Sequence, residues 1–253
     1  MPDYHPPSDV RYSTGMWTDV VDLRDFYASG LGRVARRMIG RRIRTLWPDL
    51  RGLSLLGFGY ATPFLGVFRG EASRIIAAMP APQGAVHWPV DAPGLVTLVE
   101  ETVLPLADCA VDRVLVVHAV ECAEQSRRMM RELWRVLADG GRMIVVAPNR
   151  RGLWARFERT PFGHGRPFSR SQLSLQLKEG MFTPFQSSTA LFVPPMRSRM
   201  LLSAAPAWEE IGLRWFPTFA GVVVFEATKQ IYGATMVDER PAAARGYVTV
   251  SAR

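Results

Sequence analysis

Two short apolar runs frame the centre of the chain, residues 114–117 (VLVV) and 143–147 (MIVVA). An uninterrupted apolar run of this length predicts a strand covered on both faces. Between them, residues 124–138 place Met129, Met130, Leu133, Trp134, Val136 and Leu137 at helical spacing. Arg127, Arg128, Arg131, Glu132 and Arg135 fill the gaps. That spacing predicts an amphipathic helix with one wet face. Gly140 is placed to take a left-handed cap after it. Strand, crossover helix and strand make one βαβ unit, so the sheet is at least partly parallel.

The same reading extends outward. Residues 19–46 read as helical, with Asp19, Asp22 and Asp25 near the start, where the helix dipole favours them. Along residues 32–46 the apolar set is Val34, Ala35, Met38, Ile39, Ile43 and Leu46. The basic set is Arg33, Arg36, Arg37, Arg41, Arg42 and Arg44. This basic amphipathic helix either covers a sheet edge with a solvated arginine face or touches RNA or an acidic membrane surface. No interleaved aromatic ladder for stacking bases accompanies it. Pro48 ends the helix. Residues 53–56 predict a strand, 57–63 a Gly-rich turn, 63–70 a helix and 73–78 a second strand. Residues 80–95, with Pro80, Pro82, Gly84, Pro89 and Pro93, predict a loop with a short strand at 85–88. Residues 150–172 form a loop rich in Arg, Gly and aromatics, and a helix over 169–180 starts from Ser169 as N-cap. Residues 187–193 and 222–228 read as a closing pair of strands. Residues 1–17 read as a loose arm and the stretch from Gly233 as a mobile tail.

At 253 residues and 48% hydrophobic, the chain has enough apolar side chains for a full α/β core. The net charge of +8 favours anionic partners, although an arginine-using genome gives the same balance. Cys109 and Cys122 do not make a disulfide framework; both are expected in the interior half of the domain, which suits a reducing cytoplasm. No apolar run approaches the ~20 residues needed to span a bilayer, and the N-terminus lacks a signal pattern. His5, His87, His118 and His164 have no ligand-type spacing, so no metal site is expected.

The strand–turn–helix at residues 53–70 is the candidate ligand site. Its turn holds Gly57, Phe58, Gly59 and Tyr60. Glycines let a backbone approach a ligand closely, and a helix N-terminus offers unpaired N–H groups. A tight turn without a ligand has the same composition. A dinucleotide fingerprint would need a glycine at Thr62 and an acid about twenty residues on, and neither is present.

Residues 104–149 then narrow the choice. Leu104-Pro105-Leu106, Asp108, Val111-Asp112, Glu132, Arg135-Val136-Leu137 and Gly140-Gly141 resemble the "LPF.D..FD" and "L.E..RVL.PGG" elements of class I S-adenosylmethionine (SAM)-dependent methyltransferases, of the type 11 kind. The resemblance covers about residues 50–182. It implies a Rossmann-like α/β fold, with a seven-stranded, mostly parallel sheet, helices on both faces and an antiparallel closing strand. The expected organisation is an arm with basic helices over 1–48, the methyltransferase-like domain over 49–230 and a tail over 231–253.

The resemblance also implies site residues. In the family the turn reads acid-x-Gly-x-Gly-x-Gly. Gly57 and Gly59 match it, whereas Leu55 and Ala61 replace the acid and the third glycine. The second strand of relatives ends in an acid for the ribose hydroxyls. Residues 76–80 have no carboxylate, and Met79 is left to pack on adenine. Glu100 and Glu101 stand where an acid reads the adenine amino group. His118 stands beside the methyl donor's place, and Glu121 matches a family acid, with Cys122 in place of the usual histidine. Tyr27 resembles an N-terminal helix tyrosine that reaches towards SAM. On this reading Gly57→Arg removes SAM binding and leaves the protein folded.

Residues 160–169 are the expected acceptor-side element. His164 is the candidate catalytic base, and Arg166, near Arg150, Arg151 and Arg156, would hold an anionic acceptor. A rigid cover loop is the alternative. Methyl transfer asks little of a protein beyond positioning and, for some acceptors, a base. The expected function is therefore a cytoplasmic SAM-dependent methyltransferase with an unidentified acceptor. The alternative is a non-catalytic methyltransferase-like protein that binds a partner or nucleic acid through its basic surface. RNA as an acceptor rests on charge alone.

Overall fold

A computed structural model describes residues 17–196 and 198–229. The expected arm (apart from Trp17), the expected tail and His5 lie outside the described residues. The elements run α1 (Val20–Ala28), α2 (Gly30–Leu46), β1 (Ser54–Gly59), α3 (Thr62–Leu65), β2 (Arg74–Pro80), β3 (Val96–Val99), β4 (Val111–Val117), α4 (Ser126–Val136) and β5 (Leu137–Pro148). They continue with α5 (Arg170–Glu179), β6 (Phe182–Ala190), α6 (Arg199–Ser203), α7 (Ala205–Trp215) and β7 (Val222–Lys229).

Seven strands form one sheet in the order β3-β2-β1-β4-β5-β7-β6. Strands β3, β2, β1, β4 and β5 run parallel, and β7 is antiparallel to both neighbours. The expected sheet, with its antiparallel closing strand, is the observed one. Its apolar runs divide by alternation. Leu55, Leu115, Val117, Ile144 and Val146 join α1, α2 and α3 in one core. Leu56, Phe58, Val114, Val116, Met143 and Val145 join α4 and α5 in the other. Each such side chain contributes roughly 1.5–3 kcal/mol when fully buried, and this two-sided burial is why the runs carry no polar positions.

Several expected elements are corrected. Residues 19–46 form two helices, because extended Ser29 ends one and caps the next: its Oγ donates to Phe26 O and accepts from Gly32 N. The expected helix over 63–70 is a four-residue helix and a 3₁₀ turn. Residues 85–88 form no strand; the strand that pairs with β2 is Val96–Val99. No α-helix joins these two parallel strands, so that crossover is short. Gly140 is left-handed, with φ +72°, but lies beyond the helix end, which Leu137 caps. The expected strand over 187–193 is Phe182–Ala190. Ser169 caps α5 in a full capping box with Gln172. Helices α6 and α7 fill a stretch to which the sequence pattern assigned no element. Cys122 is buried as expected, but Cys109 is exposed, at the opposite end of the sheet from β1's turn, where Lys229 Nζ lies 3.3 Å from its sulfur.

The 104–149 motif has a physical cause. Arg135 donates to Glu132, Asp108 and the carbonyls of Leu104 and Leu106, and Glu132 accepts from Leu104 N. One helix side chain thus pins the entire turn that precedes β4. Arg135→Met should cost about 2 kcal/mol in urea denaturation, since it strips several charge-assisted bonds at once from a partly exposed site. Arg135 holds the Glu132 carboxyl below its usual range, and Ser54 does the same for Asp112. A depressed folded-state value stabilises the fold above the unfolded value and is lost as pH falls through the folded one. The thermal midpoint should therefore be flat above about pH 5 and fall below it. The fall should be shallower in Arg135→Met.

Candidate functional site

The carboxyl ends of β1 and β4 meet at the point where the chain reverses its order across the sheet, the usual place for a ligand in such folds. Gly59 makes this junction. Its φ is +77°, and a Cβ there would lie 2.3 Å from Val117 O and 2.8 Å from Ala119 Cβ. Tyr60 N then donates to Val117 O at 2.8 Å, tying the turn to β4. Gly57 has a different duty. A Cβ there would meet Leu65 Cδ1 at 2.7 Å and Ala61 Cβ at 2.9 Å, so the missing side chain admits α3 against the strand. The expectation that Gly57→Arg leaves the protein folded is corrected accordingly.

Above the junction sits a closed aromatic and polar cluster. Tyr27 Oη and His118 Nε2 are 2.8 Å apart and buried. The Tyr27 ring stacks on Tyr60 (centroids 5.8 Å) and meets Phe64 edge-on. Phe162 lies 4.9 Å from the His118 ring. His118 holds φ +52°, unusual for a residue with a side chain, at the end of β4. Gln83 Nε2 donates to His118 O at 3.1 Å. Glu121 Oε1 lies 3.4 Å from His118 Nδ1. Burial pushes the Tyr27 phenol well above its usual range, with Tyr60 and Glu121 adding to the shift, so it stays protonated. Burial also raises Tyr60, opposed by its bond with Thr62.

Four buried oxygens around this junction have no hydrogen-bond partner: both carboxylate oxygens of Glu121, Gln83 Oε1 and Glu101 Oε2. All are acceptors, and all stand at the carboxyl end of β2, β3 or β4. A buried polar group without a partner costs roughly 1–3 kcal/mol, and more when charged. Such a set matches a ligand that brings donors and positive charge.

The remaining predicted residues are distributed as follows. Phe58 faces the opposite core. Met79 and Leu55 are fully buried among apolar neighbours of the first core. Glu100 is exposed at the end of β3, whereas Glu101 is buried and its Oε1 accepts from Gln125 N, at the start of α4. The 160–168 loop packs on the β4 end through its backbone: Arg166 N donates to Glu121 O at 2.8 Å. A Cβ at Gly165, φ +73°, would lie 2.5 Å from that same oxygen. The side chains of His164 and Arg166 are exposed. His164 lines a groove with Asp22, Asp25, Phe26 and Thr160, and makes no hydrogen bond or ring contact with the Tyr27 cluster among the described residues. The groove continues into a cavity of about 700 Å³ lined by Phe26, Leu31, Arg156, Phe157, Arg159 and Met196, among others. Gln83 carried no signal in the chain's pattern, and the family resemblance matched Glu121 to an acid without marking it as a site residue.

Residues 80–145 match the family model described as a methyltransferase domain. Among solved structures, a SAM-dependent methyltransferase and possible histamine N-methyltransferase of Thermotoga maritima is 18% identical, with a TM-score of 0.62 over 83% of this chain and 96% of that one. A putative methyltransferase of Haloferax volcanii, in complex with the Trm112 methyltransferase activator, is 14% identical, with a TM-score of 0.58 over 84% and 99%. Geranyl diphosphate C-methyltransferase of Streptomyces coelicolor, with Mg2+, geranyl diphosphate and S-adenosyl-L-homocysteine, is 15% identical, with a TM-score of 0.52 over 75% and 77%. No curated protein matches the chain. The chain has the fold of the class I SAM-dependent methyltransferases.

Proposed function

We propose that this chain, with its methyltransferase domain and class I methyltransferase fold, uses SAM as cofactor and transfers a methyl group to an acceptor held beside the 156–164 loop. The observation that carries the reading is the set of unpartnered buried acceptors at the carboxyl ends of β2, β3 and β4. SAM carries a sulfonium, an ammonium, ribose hydroxyls and an adenine amino group, and these supply the charge and donors that the set lacks. When bound, it supplies an electrophilic methyl group.

The chain's own residues do the rest. Gly59 lets the turn close on β4 without a side chain in the way. Gln83 and Glu101 offer their free oxygens to donors, and exposed Glu100 flanks them. Glu121 places a negative charge in a water-poor pocket, where it holds a positive centre more strongly than in water. Tyr27 stays protonated, so its hydroxyl is able to donate to His118 Nε2, and in that tautomer Nδ1–H stands on the side of Glu121. Tyr27, Tyr60 and Phe162 wall off water. On the acceptor side, His164 is exposed to the groove as a base for an acceptor proton; Arg156 and Arg159 offer positive charge there beside Glu158, Asp22 and Asp25, so the lining carries both signs.

Titration of ligand-stripped protein with SAM and with S-adenosylhomocysteine by calorimetry tests this. Binding with a Kd on the order of micromolar is expected. Absence of binding up to millimolar concentrations would overturn the reading. A second reading, a non-catalytic protein that binds its partner or nucleic acid through the basic surface, is favoured by one observation. Leu55 and Met79, at places where relatives carry acids, are sealed in apolar packing. Turnover of a methyl group onto any acceptor would dismiss it.

A further inference from the structure

Helix α7 wears its apolar face outward. Trp208, Ile211 and Trp215 are 39%, 51% and 68% exposed and recur at i, i+3 and i+7, one stripe on one side of the helix. In the turn that follows, Phe216 and Phe219 are more than half exposed, and Met200 of α6 is 76% exposed. The helix cannot roll to hide these residues. Its inner face is fixed by Glu209, whose carboxylate accepts from Leu191 N and Phe192 N. It is fixed also by Gly212, where a Cβ would meet the Phe192 ring at 2.2 Å.

Helix α2, a neighbour of α7, carries a row of positive charge. Arg33, Arg37 and Arg41 recur at i, i+4 and i+8 on the exposed side of α2, with Arg36 adjoining. Arg36, Arg37 and Arg41 take part in none of the ion pairs among the described residues. The Arg41 end of the row lies near α7, where Arg41 and its neighbour Arg42 act electrostatically on Glu209. A monomer surface rarely exposes so many large apolar side chains together.

We propose that α7 and the following turn dock this protein on an anionic lipid surface, with the aromatic stripe in the headgroup–acyl boundary and the α2 arginines on lipid phosphates. Both halves of the patch are then satisfied at once. At 11 residues α7 is about 16 Å long, too short to span and suited to lie in the plane of the interface. No helix among the described residues is long and apolar enough to cross a membrane. A second copy of the chain fits worse, because an isologous contact offers the arginines the same apolar stripe and arginines rather than anions. Single-stranded RNA fits worse also. The cations lie on one helix and the rings on another rather than interleaved, and Ile211 and Met200 have no face on which a base stacks.

Flotation of the full chain with vesicles tests the proposal. Vesicles of equal parts phosphatidylglycerol and phosphatidylcholine should carry the protein upward, vesicles of phosphatidylcholine alone should not, and added salt should weaken the effect. Ile211→Ser with Trp215→Ser should lower vesicle affinity by about tenfold or more. Arg36→Glu, Arg37→Glu and Arg41→Glu together should lower it on the order of a hundredfold. Thermal melts should confirm that both variants stay folded, as exposed positions allow. The proposal fails if anionic vesicles do not carry the wild type at low ionic strength, or if the serine variant floats as well as the wild type. It fails too if sedimentation shows a dimer that the serine variant dissolves, or if an oligouridine binds more tightly than vesicles with the same dependence on Trp215. Calorimetric titration with SAM is a separate readout, so this outcome and that of the cofactor site are independent.

Discussion

Gly59→Val will lose most or all of the protein's stability. Two independent costs fall on one position. The φ of +77° is one that a β-branched residue avoids, at about 1–3 kcal/mol, and the new Cβ would lie 2.3 Å from Val117 O. Backbone oxygen cannot rotate away as a side-chain tip can. Relief would require β1 and β4 to separate at their carboxyl ends and Tyr60 N to lose its bond to Val117 O. A total of about 4 kcal/mol or more is the expected scale, against the 5–15 kcal/mol that holds a typical domain together. Thermal melting should show a midpoint at least ten degrees lower or no cooperative transition. Gly66→Ala is the matched control. A Cβ there meets nothing within 4 Å, and its φ of −56° suits alanine. Its melting point should stay within a few degrees of wild type or rise slightly. Equal behaviour of the two variants would refute the account of the junction. Gly57→Arg should resemble Gly59→Val, since the guanidinium stem has to enter the space that Leu65 and Ala61 fill.

Glu121→Gln should move stability and SAM affinity in opposite directions. The carboxylate is 1% exposed, and neither oxygen has a hydrogen-bond partner. A buried carboxyl group with no hydrogen-bond partner and only the His118 ring 3.4 Å away destabilises the ligand-free fold, so the isosteric amide should leave the melting point unchanged or raise it by the equivalent of about 1 kcal/mol. If the charge is there to meet a cationic centre, its removal should weaken SAM by about tenfold to a hundredfold in calorimetry. A purely structural glutamate would lose stability and affinity together, and a residue unrelated to the cofactor would leave affinity alone. Either result would remove Glu121 from the site.

The uninterrupted apolar runs, the βαβ unit and the Leu104–Gly141 motif are local properties, and they were legible in the chain because their causes are local. Buried strands need two apolar faces, a wet helix needs a period of 3.6, and Arg135 reaches its partners only from that spacing within one crossover. Gly59 could be read as well, since a strand-to-turn glycine at that place signals close backbone approach. What each glycine avoids could not: Gly57 faces its own helix and Gly59 faces β4, and only the register of Gly59 against Val117 separates them. Ser29's split of the first helix turned on a side-chain bond rather than on periodicity. Strand β3 was too short to carry a pattern against its Pro-rich neighbourhood.

Tertiary structure alone brought Tyr27 to His118 across 91 positions of sequence and Gln83 to His118 across 35. It alone left both carboxylate oxygens of Glu121 buried without a hydrogen-bond partner. It also turned the apolar side of α7 to the outside, by anchoring Glu209 and Gly212 inward, in a stretch to which the sequence pattern assigned no element. The division follows from what sequence encodes directly: the period and packing of each segment is written in its own residues, whereas charge, burial and partnership at a site depend on segments far apart in the chain meeting at the end of the sheet.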